Sequence, residues 1–587
     1  MCGIFSYIGA SASAPSVILD GLKTLEYRGY DSWGIAVKYG RKIALEKNVG
    51  KIGGATVSLP KSTVGIGHTR WATHGGVTVK NAHPHLDCTE KLALLHNGII
   101  ENYETLRHRL RSKRHRFRSE TDTEVAVHMI EENMQEGMDF LQAVRNAFVQ
   151  FSGLNAIVVM NSDTEQIVAA KNGSPLVVGR GSNAFYLASD ASGIVRHTKE
   201  IHFLKDNELV VLDTSVALYD VTTGNKLPVR FETIDWKVEE ASLGNFPHFM
   251  IKEIFDQPKV IRTIANTYAD QIDDLADVIK TAKGTFLIGA GTAYHASLAG
   301  VYLFSKIAKE HLNTAMASEF NYLEDFLTKR SLVIALSQSG ETIDIVEPLT
   351  RAKGKGSTIF ALVNTLGSTI YRMADRKLLL GAGPEKAVAS TKAYIAKLSI
   401  LLMLSFAMIK RTSEAKKLLL SAADEVERLL KDQPVRALEQ LSDTLSKKQH
   451  IFTVGRGLSF ATALEAALKI KEVSYIHTEG LAGGELKHGT IALIEKGTPC
   501  IVFAPSDETY EAIISNAMEI KARGGTIIGI SPIRAEVFDH WIEVKDIKDA
   551  SIIPQIIPAQ LLSYLLAVRK GFDPDKPRNL AKSVTVK

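Results

Sequence analysis

The sequence predicts an α+β region at the N-terminus followed by two α/β units that contain parallel sheets. Three observations lead to this prediction. The first ~230 residues show hairpin patterns, the later residues alternate short apolar strands with helices, and a glycine-rich turn recurs in that later part. The length of 587 residues corresponds to three or four domains, at about 100 to 200 residues per domain.

The N-terminal region contains two patterns that are typical of antiparallel hairpins. Residues 33–37 and 42–47 flank a turn at Tyr39-Gly40-Arg41, and residues 156–160 and 166–170 flank a turn at Asn161-Ser162-Asp163. Apolar residues recur with helical spacing in three further segments, 15–26, 121–132 and 138–151. Strands and helices are therefore both expected before residue 232.

A polar stretch at residues 233–258 interrupts the alternation of apolar segments, and we interpret it as a linker. The predicted domains are then 2–232 for the α+β region, 259–430 and 431–571 for the two α/β units, and 572–587 for a C-terminal tail.

The two α/β units show an internal repeat. FLIGAG at 286–291 precedes SQSGET at 337–342, and FTVGRG at 452–457 precedes APSDET at 504–509. A strand, a glycine turn and a helix N-terminus form an anion site, because free backbone N–H groups point at the ligand. In the first copy Ser337, Ser339 and Thr342 add hydroxyls, which favours phosphate; a helix cap explains only one of them. The second copy has Pro505 and Asp507 instead.

Cys2 directly follows the initiator methionine. Removal of the methionine would leave a free α-amine beside the thiol, with reference pKa values near ~8 and ~8.5. The amine can then take the thiol proton and activate the sulfur as a nucleophile. A cysteine that stands at this position by chance is the alternative, since a single cysteine is only a candidate.

Composition indicates a globular protein, with 45% hydrophobic and 23% charged residues. The cysteines Cys2, Cys88 and Cys500 are too scattered for a disulfide framework, which favours a cytoplasmic location. No CxxC pair is present, so structural zinc is not expected. No signal peptide is recognised, and the longest apolar stretch, 398–409, is shorter than the ~20 residues of a membrane span. We interpret it as a buried helix.

The basic segment 107–118 raises nucleic acid as a binding partner. No nucleic-acid-binding module surrounds it, and the net charge of the chain is only +5. We therefore interpret the segment as a solvated helix and turn, and we expect neither nucleic acid nor a membrane among the partners.

Several longer motifs, in order along nearly the whole chain, resemble the isomerising glutamine:fructose-6-phosphate aminotransferase family. This resemblance implies a class II glutamine amidotransferase domain, with the αββα sandwich of N-terminal nucleophile (Ntn) hydrolases, followed by two sugar isomerase (SIS) domains. The matching motifs are MCGI at 1–4, LEYRGYDS at 25–32, GHTRWATHG at 67–75, HNGIIEN at 96–102, SETDTE at 119–124, LSQSGET at 336–342, ASTK at 389–392, GELKHG at 484–489 and PRNLAKSVTV at 577–586.

For the glutaminase half, the resemblance implies that Cys2 attacks the side-chain amide of L-glutamine. Asn97 and the backbone N–H of Gly98 suit an oxyanion hole. From the residues alone, Asn-Gly after an apolar run is better read as a hairpin turn. Arg70 suits the α-carboxylate of glutamine and Asp122 its α-ammonium group. The resemblance also implies that Thr73 and His74 shape the pocket and that Trp71 gates an ammonia path.

For the synthase half, the resemblance implies that Glu472 carries a proton between C1 and C2 of fructose 6-phosphate, with Lys469 assisting. It further implies that His488 opens the sugar ring and that Lys582 forms a Schiff base. From the residues alone, the helix at 464–472 is better read as a salt-bridged surface helix, and a lysine near a terminus as a solvated charge. The implied sugar-phosphate site contains Thr292, Ser337, Gln338, Ser339, Thr342 and Ser390.

No metal and no other cofactor is expected. Five histidines of the N-terminal half lack the helical spacing and nearby acid of a common zinc site, namely His68, His74, His83, His85 and His96. The resemblance implies a homodimer in which His488 completes the neighbouring site. Ala293 replaces a serine that is common in the family, which leaves a different sugar phosphate as an alternative substrate; a regulator that binds sugar phosphate without turnover is a further alternative.

Overall fold

The computed structural model describes residues 2–234 and 243–584, with only the backbone described at positions 432 and 433. Two compact units are present. The first contains the described residues up to 234 together with 581–584, and the second contains residues 243–580. Of the predicted linker and tail, residues 235–242 and 585–587 lie outside the described residues. The predicted domain boundaries stay predictions.

The first unit contains fifteen strands and four α-helices within its described residues. They are β1 (Gly3–Gly9), α1 (Ala14–Thr24), β2 (Ser32–Tyr39), β3 (Lys42–Val49), β4 (Val64–Arg70), β5 (His85–Leu86), β6 (Leu92–Gly98), α2 (Tyr103–Ser112), α3 (Glu124–Gln135), α4 (Phe140–Val149), β7 (Asn155–Asn161), β8 (Gln166–Asn172), β9 (Val177–Arg180), β10 (Ala184–Ala188), β11 (Glu200–Phe203), β12 (Glu208–Leu212), β13 (Val216–Asp220), β14 (Lys226–Leu227) and β15 (Glu232–Thr233).

These strands form two antiparallel sheets, with strand orders β15-β11-β9-β10-β1-β4-β2-β3 and β14-β13-β12-β8-β7-β6-β5. One apolar core includes Ile4 and Ile66 of the first sheet with Leu95 and Val158 of the second, so the two sheets face each other. A second core packs α2, α3 and α4 on the other face of the second sheet, and α1 packs on β1 and β4. The predicted αββα sandwich is confirmed.

Both predicted hairpins are present. Tyr39 pairs with Lys42 at the end of β2 and β3, and Asn161 pairs with Gln166 at the end of β7 and β8. The three predicted helical segments correspond to α1, α3 and α4. Alternating apolar residues determine this half of the fold because each strand has one face on a core.

The second unit contains ten strands and fourteen α-helices within its described residues. They are α5 (Phe249–Phe255), α6 (Gln257–Thr267), α7 (Ala269–Thr281), β16 (Thr285–Gly289), α8 (Thr292–Leu303), β17 (Asn313–Met316), α9 (Ala317–Phe320), β18 (Leu332–Ser337), α10 (Ile343–Gly354), β19 (Thr358–Val363), α11 (Thr369–Met373), β20 (Arg376–Leu379), α12 (Lys392–Ala407), α13 (Thr412–Leu429), α14 (Asp432–Leu445), β21 (His450–Gly455), α15 (Leu458–Ser474), β22 (His477–Ala482), β23 (Pro499–Phe503), α16 (Tyr510–Lys521), β24 (Thr526–Ser531), β25 (His540–Glu543), α17 (Ile552–Gln555) and α18 (Ile557–Arg569).

Two five-stranded sheets share one strand order in this unit. The first runs β17-β16-β18-β19-β20 and the second runs β22-β21-β23-β24-β25. All of their pairings are parallel. The predicted repeat of two α/β units is therefore confirmed. In the first sheet the chain runs from β16 to the edge strand β17 and then crosses to β18 on the other side of β16. The second sheet repeats this path with β21, β22 and β23. Such a reversal of strand order creates a crevice, here between β16 and β18 and between β21 and β23.

Helix α12 is buried along its whole length, as predicted for the apolar stretch at 398–409. It packs against α6, α7, α8 and α13. Within the described residues, the helical run at 548–569 has the length and apolar character to cross a membrane, but 89% of its most apolar window is buried inside the protein. This run has the burial of a core helix.

Candidate active sites

Cys2 lies at the start of β1, an inner strand of the first sheet that pairs with β4 and β10. The backbone N–H of Trp71, just after β4, donates a hydrogen bond to the Cys2 Sγ at 3.2 Å. The carbonyl of Cys2 accepts hydrogen bonds from Asn97 Nδ2 at 3.0 Å and from Arg28 Nε and Ser189 Oγ at 3.4 Å each. Contacts on both sides of the residue thus fix its backbone and leave the half-buried thiol at a cleft.

This cleft collects most of the residues that were predicted for the glutaminase half. Predicted residues that line it are Cys2, Arg70, Trp71, Thr73, Asn97, Gly98 and Asp122. His83, His96, Thr121 and Thr123 also line it, and these four were not assigned to the site from the sequence.

Asn97 and Gly98 form the end of β6, opposite Ala156 and Asn155 of β7. Gly98 has φ +128°, and a Cβ at this position would lie 2.1 Å from the carbonyl oxygen of Leu154. The conformation and the close approach both require glycine. The hairpin-turn interpretation of Asn-Gly is wrong, because the chain passes through α2, α3 and α4 before β7 begins.

His68 determines which way the Asn97 amide points. Burial lowers the pKa of His68 to about 3, so its ring is neutral. His68 Nε2 lies 3.0 Å from Asn97 Oδ1 and 3.2 Å from the carbonyl oxygen of His96. Both neighbours are acceptors, so Nε2 carries the proton. Asn97 Nδ2 is consequently directed at Cys2, and one of its two hydrogens stays available for a second acceptor.

Arg70 supports the loop that carries Thr73 and His74. Its guanidinium group donates to the carbonyl oxygen of His74, to that of Gly75 at 3.1 Å and to that of Gly76 at 3.2 Å. Burial lowers the pKa of Arg70, and the nearby Cys2, Asp122 and Asp31 oppose this effect. The side chain is therefore a buried cation at the edge of the cleft, held by backbone carbonyls.

Asp122 contributes a buried carboxylate on the same cleft, two residues before α3 begins. Its Oδ2 accepts a hydrogen bond from the N–H of Ile100 at 2.8 Å and lies 3.9 Å from His96 Nδ1. His96 in turn contacts Thr123 Oγ1 and Asn155 Oδ1, each at 2.9 Å. Arg70 and Asp122 thus place a cation and an anion on one cleft, which suits a zwitterionic amino acid.

The serine-rich loop of the second unit begins where β18 ends, beside the crevice between β16 and β18. Ser337 Oγ accepts a hydrogen bond from the N–H of Gly340 at 2.9 Å. Ser339 Oγ accepts from the N–H of Glu341 at 3.2 Å and lies 3.5 Å from Thr342 Oγ1. The structure therefore brings Ser339 and Thr342 together at the start of α10, while the buried Ser337 braces the loop from within.

Two other predicted sugar-phosphate residues are held by buried glutamates. Thr292 Oγ1 donates to Glu465 Oε1 at 3.0 Å, and Ser390 Oγ donates to Glu385 Oε2 at 2.9 Å. Gln338 contributes its carbonyl oxygen, which accepts from the N–H of Asn364 at 3.1 Å. Glu465 and Glu385 were not assigned from the sequence, because a single glutamate inside an amphipathic helix or loop has no distinctive pattern.

Lys469 and Glu472 meet on one face of α15, as their spacing predicts. Lys469 Nζ lies 2.5 Å from Glu472 Oε2 and 3.6 Å from Glu465 Oε1. Burial acts to lower the pKa of Lys469, but the two carboxylates outweigh burial, so its pKa is raised and the ammonium is retained. The interpretation as a salt-bridged surface helix is right about the ion pair and wrong about the surface, because Lys469 is fully buried.

His488 and Lys582 are the other two residues predicted for the reaction of the synthase half. His488 is exposed at the end of a 3-10 turn, Glu485–His488. Lys582 is half-buried and belongs to the first unit. The tail that leads toward it is anchored by Asp575, whose carboxylate accepts from the N–H groups of Phe249 and Met250 at 2.7 Å each.

Comparison with known proteins gives matches along the whole chain. The glutamine amidotransferase domain family matches residues 68–196, and the SIS domain family matches residues 278–407 and 444–568. The glutamine–fructose-6-phosphate aminotransferases (isomerizing) of Pyrococcus horikoshii and Thermococcus kodakarensis are each 42% identical, with 100% of both chains covered. The C-terminal domain of glucosamine-fructose-6-phosphate aminotransferase from Francisella tularensis is similar in structure, with a TM-score of 0.53, 30% identity, 57% of this chain and 100% of that chain covered.

Substitution of Gly98 by alanine is expected to destabilise the first unit. The Cβ would meet the Leu154 carbonyl oxygen at 2.1 Å, in a backbone conformation that disfavours side chains. We expect a loss of about 2–4 kcal/mol in the free energy of unfolding. Urea titration measures it, with Gly54→Ala as the control because a Cβ at position 54 meets nothing within 4 Å. Equal stability of the two variants would contradict the requirement for glycine.

Proposed function

This chain belongs to the family of isomerising glutamine–fructose-6-phosphate aminotransferases, and on that premise we propose which of its residues carry each half of the reaction. The enzyme moves the amide nitrogen of glutamine onto fructose 6-phosphate and isomerises the product to glucosamine 6-phosphate, with release of glutamate. Two sites share this task, one for glutamine and one for the sugar phosphate.

Cys2 is the nucleophile of the glutaminase half. After removal of Met1, the α-amine of Cys2 takes the thiol proton, and the sulfur attacks the amide carbon of glutamine. The oxygen of that amide becomes an oxyanion, which Asn97 Nδ2 and the N–H of Gly98 stabilise. Ammonia leaves, and water hydrolyses the remaining thioester to glutamate. The observation that carries this proposal is the position of Asn97 Nδ2, 3.0 Å from the carbonyl oxygen of Cys2.

Arg70 and Asp122 hold the ends of the glutamine substrate. The Arg70 guanidinium pairs with the α-carboxylate, and the Asp122 carboxylate accepts hydrogen bonds from the α-ammonium group. Both side chains are buried, which strengthens charge pairing relative to water. Thr73 lines the pocket, and His74 lies next to it on the loop whose carbonyl groups Arg70 supports.

Glu472 is the base that moves the proton between C1 and C2 of the sugar. Lys469 remains an ammonium beside it, since the pKa of Lys469 is raised, and the two side chains form an ion pair. Lys469 is accordingly a positioning residue rather than a second base. His488 opens the sugar ring, and its exposure suits a group that completes the site of a second subunit in a homodimer. Lys582 forms the Schiff base with the open-chain sugar.

The phosphate of the sugar binds at the loop between β18 and α10. Ser339 and Thr342 point their hydroxyls to one place, and the first backbone N–H groups of α10 add donors there. Ser337, Gln338, Thr292 and Ser390 shape the surrounding crevice. This arrangement binds a dianion without arginine or lysine.

Fructose 6-phosphate is preferred over another sugar phosphate. Ala293, which motivates the alternative substrate, lies buried in the first turn of α8. The full-length relatives from Pyrococcus horikoshii and Thermococcus kodakarensis carry fructose 6-phosphate in their names. We also assign internal transfer of ammonia with Trp71 as the gate, a cytoplasmic location, and activity without nucleic acid or a membrane.

Replacement of Cys2 by alanine is expected to abolish synthesis from glutamine. The loss should exceed about 1,000-fold because alanine removes the nucleophilic sulfur. Synthesis from free ammonia should persist, since the sugar site is intact. Product formation with each nitrogen donor is measured by mass spectrometry.

Cys500→Ala is the control for this variant, because burial raises the pKa of Cys500 to about 12 and leaves that thiol unreactive. Glutamine-dependent turnover by Cys2→Ala would contradict the role of Cys2. Loss of both activities in Cys500→Ala would show a general sensitivity to cysteine replacement.

Replacement of Glu472 by glutamine is expected to lower the rate of glucosamine 6-phosphate formation by about 100-fold to 10,000-fold. The loss should be the same with glutamine and with free ammonia as the nitrogen donor. Hydrolysis of glutamine to glutamate should continue, because Cys2 and Asn97 are untouched. Release of glutamate and of aminosugar is followed in the same reaction, with Glu511→Gln on the exposed face of α16 as the control. Normal ammonia-dependent synthesis by Glu472→Gln would refute the role of the base.

Internal transfer of ammonia is tested by isotope competition. Glutamine labelled with ¹⁵N in its side-chain amide is supplied together with an excess of unlabelled ammonium. The glucosamine 6-phosphate should retain the label, because ammonia that never enters the solvent cannot exchange with the ammonium pool. Dilution of the label to the composition of the pool would contradict internal transfer. Trp71→Ala should increase the dilution.

A further inference from the structure

A second cluster of reactive side chains lies in the first unit, apart from the residues that line the Cys2 cleft. Cys88, His115, His128 and Glu131 each direct one potential ligand atom to a common point, and these four atoms lie within 4.8 Å of one another. His115, His128 and Glu131 are buried, and Cys88 is exposed at the surface. The reaction described above uses none of these four residues.

The distances in the cluster are close to those of a tetrahedral metal site. Cys88 Sγ lies 3.9 Å from His115 Nδ1 and 3.7 Å from His128 Nδ1. Glu131 Oε2 lies 3.0 Å from each of the same two nitrogens. Zinc bonds of about 2.0–2.3 Å in a tetrahedron separate neighbouring ligand atoms by about 3.3–3.6 Å. The observed spacings lie on either side of that range, so a small adjustment would close the site on an ion.

Three separate segments supply the four ligands. Cys88 lies in the turn between β5 and β6, His115 follows α2, and His128 and Glu131 lie one turn apart on α3. The i,i+3 spacing of the last two places them on one face of that helix. An ion at this point would tie a turn, a loop and a helix together.

Outer groups orient the ligands as they do around bound zinc. The second ring nitrogens face carboxylates, with His115 Nε2 at 2.8 Å from Glu132 and His128 Nε2 at 3.7 Å from Glu124. A carboxylate behind a histidine ligand fixes its ring and raises its basicity. The N–H of Arg116 also donates to Cys88 Sγ at 3.4 Å, a contact that stabilises a thiolate.

A hydrogen-bonded network without metal explains the arrangement less completely. One oxygen of Glu131 would then accept from both histidine rings and from the backbone N–H of Cys88, which lies at 3.1 Å. Such a network gives no reason for the thiol to approach both ring nitrogens. A cation at the centre accounts for all four atoms, because each presents a lone pair to it.

We propose that Cys88, His115, His128 and Glu131 bind a structural zinc ion. One thiolate, two imidazoles and one carboxylate form a donor set that favours zinc over calcium or magnesium, which prefer oxygen ligands. Four protein ligands leave no open position, so the ion is structural rather than catalytic. It would brace α3, and Asp122 precedes the start of that helix at the Cys2 cleft.

This proposal departs from the expectation of no metal, which rests on five other histidines and the lack of a CxxC pair. Ligands from three segments leave no compact motif in the sequence. Only the fold brings residues 88, 115 and 128 together.

The metal content of the purified full chain tests the proposal. We expect about one zinc per chain after purification without chelator and incubation with micromolar zinc. Cys88→Ala and His128→Gln should each reduce this content at least tenfold. His108→Gln is the control, because His108 is exposed on the neighbouring helix α2. Less than about a tenth of an equivalent in the wild-type chain would overturn the proposal.

Cobalt substitution identifies the thiolate ligand by spectroscopy. Co²⁺ bound to the wild-type chain should give a thiolate-to-metal charge-transfer band and the visible bands of tetrahedral coordination. The Cys2→Ala variant should keep these bands, whereas Cys88→Ala should lose the charge-transfer band. The proposal would be overturned if the bands disappear in Cys2→Ala and persist in Cys88→Ala.

Removal of zinc by a chelator should lower the unfolding midpoint by about 10 °C. An unchanged midpoint would contradict a structural role.

Discussion

The pairing of β1 with β4 and β10 is the constraint on which the glutaminase site depends. An inner strand with a neighbour on each side cannot shift by one residue without moving its side chains to the opposite face. Cys2 directly precedes β1 and is therefore held in a fixed position. The N–H of Trp71 donates a hydrogen bond to the Cys2 sulfur because β4 ends beside Cys2. Cys2, the proposed nucleophile, is therefore placed by the pairing of the sheet strands rather than by contacts of its own side chain.

A different kind of constraint organises the second unit. Glu465 is fully buried on α15 and is contacted by Thr292 and His295 of α8 and by Lys469 on its own helix. A buried carboxylate is costly unless hydrogen bonds and cations surround it. The surrounding groups come from both α/β repeats, so this one charge connects α15, which carries Glu472, with α8, which follows β16. Rigid helices then hold Thr292, Lys469 and Glu472, which are proposed for the sugar-phosphate site, in fixed relative positions.

The sequence was most informative where the pattern is local. The spacing of residues along one or two elements predicts the hairpins and the repeated α/β units. It also predicts the helix face that Lys469 and Glu472 share. His68 shows what spacing leaves out. Its role depends on burial and on β4 lying beside β6, and neither appears in the residues around it. Asn97-Gly98 misleads for a related reason, because a dipeptide that is typical of turns also suits a strand end where glycine alone fits.

The shared strand order of the two parallel sheets has a consequence for how this fold diversifies. A crevice at β21 and β23 follows from topology alone, as it does at β16 and β18. Pro505 and Asp507 stand near the former, where hydroxyls stand in the latter. Substitutions can change the side chains that line such a crevice, but the crevice itself persists while the strands keep their order. The repeated strand order thus gives the protein a second crevice, between β21 and β23, whose lining can change independently of the first.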